Sequence, residues 1–252
     1  MAKPKHIELG DGTLIPILFE DRAVLAIDKP AGWLLAPDSW DRTGRNLQLA
    51  LQSSLAGGDY WARSRSLKYL RFIHRLDADT SGVLLLAKSP GAMRSYSELF
   101  ESRRIQKFYL AVVDGIPKQS NWPCRMKLSP KPETVGQMKV DERYGKEAET
   151  YFRVLQTSQQ TALVEAQPTT GRTHQIRVHL AAAGHPVLGD PFYNPKEIAK
   201  VKAGRVRLAL RAVKVNFPDP FQKRTIQIEA PTDDFMKQFG FFPKLKLVPK
   251  IV

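Results

Sequence analysis

The stretch FIHRLDADTSGVLLLAK, Phe72 to Lys88, sets His74, Arg75, Asp77 and Asp79 directly ahead of a small-residue turn, Thr80-Ser81-Gly82, and an apolar run from Val83 to Ala87. Such a run reads as a buried strand. Charges at its mouth must be paired or put to use, because burying a charge without a partner is costly. A carboxylate in that position can act as a nucleophile or as a general acid or base. Asp77 and Asp79 are two residues apart, so in an extended segment they would share a face at about 7 Å, a spacing open to a two-carboxylate glycosidic-bond hydrolase.

A second charged cluster is TTGRTHQIRVHLAAAGHPVLGD, Thr169 to Asp190. It opens in a glycine turn and continues as a helix with Ile176, Leu180 and Ala183 on one stripe, ended by Gly184 and Pro186. Arg177 follows Ile176 and can leave the edge of that stripe to meet a buried carboxylate, keeping it ionised. The plainer alternative is that Arg172 and Arg177 only solvate a helix face. His174, His179, His185 and Asp190 raise the question of a metal. His174 and His179 are five residues apart, which does not put both on one helical face, and no HExxH spacing occurs. No metal is therefore expected, and the histidines are assigned structural or phosphate hydrogen bonds.

Around these clusters the pattern is mainly one of strands. TLIPILFED and RAVLAIDKP read as two strands joined at Glu20-Asp21-Arg22, EAETYFRVLQ and QTALVEAQP as a hairpin, and KFYLAVVDG and RTIQIEAP as single strands. RVRLALRAVKV alternates over Val206, Leu208 and Leu210, placing Arg205, Arg207 and Arg211 on the other face of a half-buried strand, with room for a bulge at Ala212-Val213. Helices are expected from Arg45 to Gly57 and after Ser89-Pro90, the latter with Met93, Tyr96 and Phe100 on one side, and a short one after Thr232. Residues 116–144, rich in Pro and Lys, look least structured. Strands that recur as hairpins, without regular strand-helix alternation, favour an α+β fold around a mainly antiparallel sheet.

Composition narrows the partners. The 252 residues carry 39 Lys and Arg against 25 Asp and Glu, a formal charge of +14, so a polyanion is the natural ligand. The single cysteine, Cys124, excludes an intramolecular disulfide and suits a reducing compartment. The N-terminal MAKPKHIELGDG has no signal-peptide core, and no apolar run is long enough to span a membrane. A cytoplasmic protein is expected.

HRLDADTSG, KFYLAVVDG, GKEAETYFRVL and TGRTHQIRVHLAAAGHPVLGDPFY, in that order and preceded by EDRAVLAIDKPAGW, resemble the motif series of the RluA family of pseudouridine synthases. The resemblance runs from about Glu20 to about Pro231. It implies a central mixed, mostly antiparallel sheet with flanking helices and loops, and isomerisation of uridine in ribosomal or transfer RNA without cofactor or metal. The family's catalytic aspartate falls on Asp77, its partner arginine on Arg177, and the tyrosine that stacks on the flipped base on Tyr109; from spacing alone Tyr109 reads equally as a core aromatic. Arg75 matches the residue that fills the gap left by the flipped nucleotide. His74, Arg172, His174 and Ile176, in the same motifs, are the accompanying substrate-contact candidates.

Two departures stand out. Many members have a histidine shortly after PAG, where this chain has Ala36, and many carry an S4 RNA-binding domain, for which the roughly 20 residues before EDRAVLAIDKP are too few. A short arm, residues 1–19, and a single catalytic domain, residues 20–252, are expected, acting as a monomer. RNA would then be held by arginine-bearing faces and the 116–144 excursion. A non-catalytic RNA-binding protein is the other alternative.

Overall fold

The fold starts from two facing strands. Val24 to Ile27 and Val83 to Ala87 are fully buried, apolar throughout, and pair antiparallel from Val24 opposite Ala87 to Lys29 opposite Gly82. The computed structural model describes residues 2–35, 45–134, 136–204 and 206–242; Ala36 and Arg205 lie outside them. It divides into two units, Met1–Gln106 with Lys214–Ala230, and Lys107–Val213 with Pro231–Val252.

In the first unit β1 (His6–Glu8), β2 (Leu14–Glu20) and β3 (Val24–Lys29) form an antiparallel meander. The β2–β3 turn is made by Asp21, whose carboxylate accepts the N–H groups of Ala23 and Val24, each at 2.8 Å. The chain continues through α1 (Leu47–Ala56), capped by the Asn46 side chain on the Leu49 N–H, and the single turn α2 (Tyr60–Arg63). β4 (Arg71–Phe72) and β5 (Ser81–Ala87) follow, with β4 and β3 both antiparallel to β5. Helix α3 (Pro90–Glu101) begins as expected, with Ser89 as N-cap and Pro90 in the first turn. Its buried stripe is Ala92, Tyr96 and Leu99, with the expected Met93 and Phe100 on its partly exposed flanks. Spacings of four and three keep 92, 96 and 99 on one line of the helix.

The second unit is built on β6 (Gln106–Asp114). The expected excursion is not without structure: it contains β7 (Asn121–Cys124) and a small hairpin, β8 (Leu128–Pro130) and β9 (Met138–Val140). Its order comes from polar turns more than apolar periodicity. Asp141 accepts hydrogen bonds from the N–H groups of Arg143 and Tyr144 and from the Ser129 hydroxyl, while a few side chains such as Cys124 and Leu128 are driven inward, Leu128 against Ala148 and Val178. β10 (Thr150–Thr157) and β11 (Thr161–Pro168) form the expected hairpin; β10 pairs with β7 and β11 with β6, all antiparallel. Then come α4 (Gln175–Ala182) and α5 (Ile198–Lys202).

β12 (Leu210–Pro218) begins later than the alternation suggests and runs from the second unit into the first, where it pairs with β13 (Thr225–Glu229). Ahead of it, the Ala209 N–H bonds Leu188 O and the Ala209 carbonyl accepts from Val112, so Ala209 is held from both sides before the strand starts. Past Leu210 the alternation is lost because Ala212, Val213, Lys214 and Val215 are all buried. α6 (Asp233–Gln238) closes the described chain. The architecture is α+β and mostly antiparallel, and among the described residues no helix is long and apolar enough to cross a membrane.

Tyr96 supplies a direct test of the first core. Its ring is fully buried, edge-on to Phe217 at 5.5 Å, and its hydroxyl has no hydrogen-bond partner among the described residues. Tyr96→Phe removes that unsatisfied group and is expected to stabilise the protein by about 1 kcal/mol, a rise of a few degrees in a thermal melt; a lower melting temperature would contradict this packing.

Candidate active site

Asp77 opens a tight turn, with the Thr80 N–H bonded to the Asp77 carbonyl at 3.2 Å. The turn is pinned from beneath by Lys29, the last residue of β3, which is fully buried. Its ammonium donates to the carbonyls of Ala78 at 2.7 Å, Thr80 at 3.0 Å and Pro30 at 3.0 Å, so each of its three N–H groups has an acceptor. The Gly32 N–H adds a second bond to Ala78 O at 2.9 Å, from a left-handed backbone (φ +83°) that suits glycine. Burial pushes the Lys29 ammonium down to about 8, offset in part by the charges of Asp79 and Asp77. AIDKPAG is therefore the clamp on the Asp77 turn. No residue type in it suggested that role, and only the fold brings Lys29 to Ala78 and Thr80.

Within the turn the carboxylates differ: Asp77 is half-buried and Asp79 exposed. Because the segment turns between Asp77 and Thr80, the extended geometry needed for a two-carboxylate pair is absent. His74, expected to contact substrate, stacks on Phe100 at 5.0 Å and accepts the Leu85 N–H through Nε2 at 3.1 Å. Arg75 is exposed and lines a cavity of about 370 Å³ with Arg71, Tyr69 and Phe72.

The remaining expected site residues lie in the second unit. Tyr109, 9% exposed, sits on β6 opposite Ala166. Arg177 is buried in α4 and makes a bidentate pair with Asp190, Nε to Oδ2 at 2.7 Å and Nη2 to Oδ1 at 2.8 Å. Asp190 is fully buried and also accepts the N–H groups of Phe192 and Tyr193. The guanidinium carbon lies 5.3 Å from the Phe192 ring centre and 5.2 Å from that of Tyr193. Parallel charge-assisted bonds fix a guanidinium in plane as well as position. The sequence suggested Asp190 only as a possible metal ligand; its place as a partner of Arg177 is a finding of the structure. Gly189 makes this possible: at φ +67°, a Cβ there would stand 2.1 Å from Arg207 O.

The other residues of this motif form its frame. Arg172 Nε donates to Glu147 O at 3.0 Å, and Gln175 Oε1 accepts from the Arg172 N–H and the Thr170 hydroxyl. Ile176 is buried. His174, left-handed at φ 53°, bonds Tyr193 Oη through Nδ1 at 2.9 Å. His179 is fully buried between Met126 O at Nε2 and Thr150 Oγ1 at Nδ1, and burial pushes its pKa down. A carbonyl can only accept, so Nε2 carries the proton and Nδ1 accepts from Thr150. His185 Nδ1 likewise donates to Asp114 O at 3.1 Å. Each histidine raised as a metal ligand has such a bond within the protein.

Comparison with known proteins agrees with this frame. The sequence profile of the family described as RNA pseudouridylate synthase matches residues 23–182. "Ribosomal large subunit pseudouridine synthase C" of Buchnera aphidicola subsp. Schizaphis graminum is 36% identical over 233 residues, 88% of this chain and 69% of that protein. The protein of the same name from Escherichia coli (strain K12) is 35% identical over 247 residues, 94% and 72% of the two chains. Among solved structures, human RNA pseudouridylate synthase domain containing 1 superposes with a TM-score of 0.67 at 27% identity, covering 86% of this chain and 83% of its own. The chain belongs to the RNA pseudouridylate synthase family and is an isomerase acting on RNA.

Two substitutions test the frame. Lys29→Met should leave the Pro30 and Thr80 carbonyls without that donor and Ala78 O with the Gly32 N–H alone, costing about 2–4 kcal/mol, and should reduce turnover more than RNA binding; a variant with wild-type turnover would remove Lys29 from the site. Asp190→Asn takes a carboxylate from a buried guanidinium, which should cost about 3–5 kcal/mol in denaturant unfolding; a change below about 1 kcal/mol would show the pair to be dispensable.

Proposed function

We propose that this enzyme converts uridine to pseudouridine in large-subunit ribosomal RNA, with Asp77 as its catalytic carboxylate. The observation that carries the assignment is the turn from Asp77 to Thr80, gripped through two of its carbonyls by a fully buried ammonium. A reacting group held to within a fraction of an ångström needs such a support. The choice of RNA follows the names of the relatives, which specify the ribosomal large subunit.

The reaction is an isomerisation. Asp77 acts on the target nucleotide, by adding to it or by taking a ribose proton, so that the C1′–N1 bond breaks. The uracil turns, C5 bonds to C1′, the C5 proton leaves and N1 gains one, so composition is unchanged. A stacked base hides its glycosidic bond from an enzyme carboxylate, so the nucleotide must be flipped out first. By resemblance Arg75 fills the vacated space, Tyr109 stacks on the flipped base, and Arg177 completes the catalytic set. His74, Arg172, His174 and Ile176 support the site. The reaction requires no metal or cofactor.

Asp77→Asn should retain RNA binding and lose tritium release from RNA labelled at C5 of uridine, whereas Asp79→Asn should change the rate by less than about tenfold. Mapping pseudouridines in large-subunit RNA with and without the protein identifies the target. Wild-type protein that binds RNA without forming the isomer would instead be a binding module, and an active Asp77→Asn would overturn the assignment.

A further inference from the structure

Lys29 is fully buried and Lys107 half-buried, and their surroundings differ. Lys29 has three carbonyl acceptors, with Asp79 and Asp77 close enough to favour its charge. Lys107, near the start of β6, has one acceptor, Thr170 O at 3.1 Å. Among the described residues no carboxylate pairs with Lys107, and burial alone pushes its ammonium down to about 8. An ammonium carries three donors, so Lys107 is held in place but not satisfied. A structural lysine is expected to look like Lys29. One that awaits an anion should look like Lys107.

Its location indicates which anion. Lys107 and Tyr109 are two residues apart on one strand, so their side chains leave the same face of β6, about 7 Å apart along the chain. That is comparable to the reach from a nucleobase to the phosphates on either side of its sugar. Gly171 follows the acceptor Thr170, and an added Cβ there would lie 3.8 Å from the Lys107 Nζ.

We propose that Lys107 binds a phosphate flanking the target uridine, donating ammonium hydrogen bonds to its non-bridging oxygens. The proposal rests on the reading of Tyr109 as the residue that stacks on the flipped base. The contact positions the nucleotide and takes no part in bond exchange. It draws on the remaining donors of a partly buried ammonium held in place by Thr170, so it discriminates a phosphate at that one position from backbone charge elsewhere.

The test uses an oligoribonucleotide containing a uridine that the wild-type enzyme converts, prepared unmodified or with a neutral methylphosphonate at the phosphate 5′ or 3′ to it. Wild-type enzyme should lose about 10- to 100-fold in kcat/KM for one of the two modified substrates, mainly through KM. Lys107→Met should lose a similar factor on unmodified RNA and nothing further on that modified substrate, with Lys107→Arg recovering most of the loss. A wild-type enzyme indifferent to both modifications overturns the proposal without reliance on any variant. So do losses that multiply at both positions, or a Lys107→Met within twofold of wild type; with Tyr109→Ala inactive, these leave the reading of Tyr109 standing. A fully active Tyr109→Ala overturns that reading and the proposal together. Lys107→Gln repeats the measurement if Lys107→Met melts early.

Discussion

An ammonium taken out of water costs several kcal/mol, and a protein retains one only where the geometry returns most of that cost. Lys29 meets the condition with three carbonyls, two of them from the turn that Asp77 opens. The dependence runs both ways. Without the turn the lysine could not be buried, and without the lysine the turn would be a polar loop with unpaired carbonyls at the mouth of an apolar strand. The fully buried pairing of β3 with β5 brings the partners together, since Lys29 stands opposite Gly82 at the end of that ladder.

The second unit solves a related problem differently. Arg177 is buried on α4 and meets Asp190 through two parallel bonds, and Asp190 is itself held by two backbone N–H groups. These four bonds fix the carboxylate in place as well as the guanidinium. The ring faces of Phe192 and Tyr193 cover the guanidinium, and Tyr193 also bonds His174 and the Met138 N–H. One aromatic residue thus ties the start of α4 to the β8–β9 hairpin. Lys107 stands apart from both arrangements as a half-buried cation with one acceptor, Thr170 O, and a charge in that state is suited to a ligand more than to stability.

The family and most of its elements were legible in the sequence because they depend on local rules. Strand-like runs bounded by turn residues marked β2, β3, β10 and β11, Ser89-Pro90 marked the start of α3, and the ordered motifs marked the enzyme class. The misreadings share a cause. The excursion holds its form through the Asp141 carboxylate and a few buried side chains, which leave no periodic signal, and β12 starts late, with Ala209 just ahead of it bonded to segments distant in sequence.

Sequence alone determined the chemistry on offer: which carboxylate, arginine and tyrosine stand in the motifs, and a +14 charge suited to RNA. Tertiary structure alone decided the partners. Lys29 lies about 50 positions from the carbonyls it grips, and Lys107 more than 60 from its acceptor. Asp190 lies beyond the end of the helix that carries Arg177. Hydrogen bonds and ion pairs act over a few ångström in space and are blind to separation along the chain, so no spacing rule could have found them.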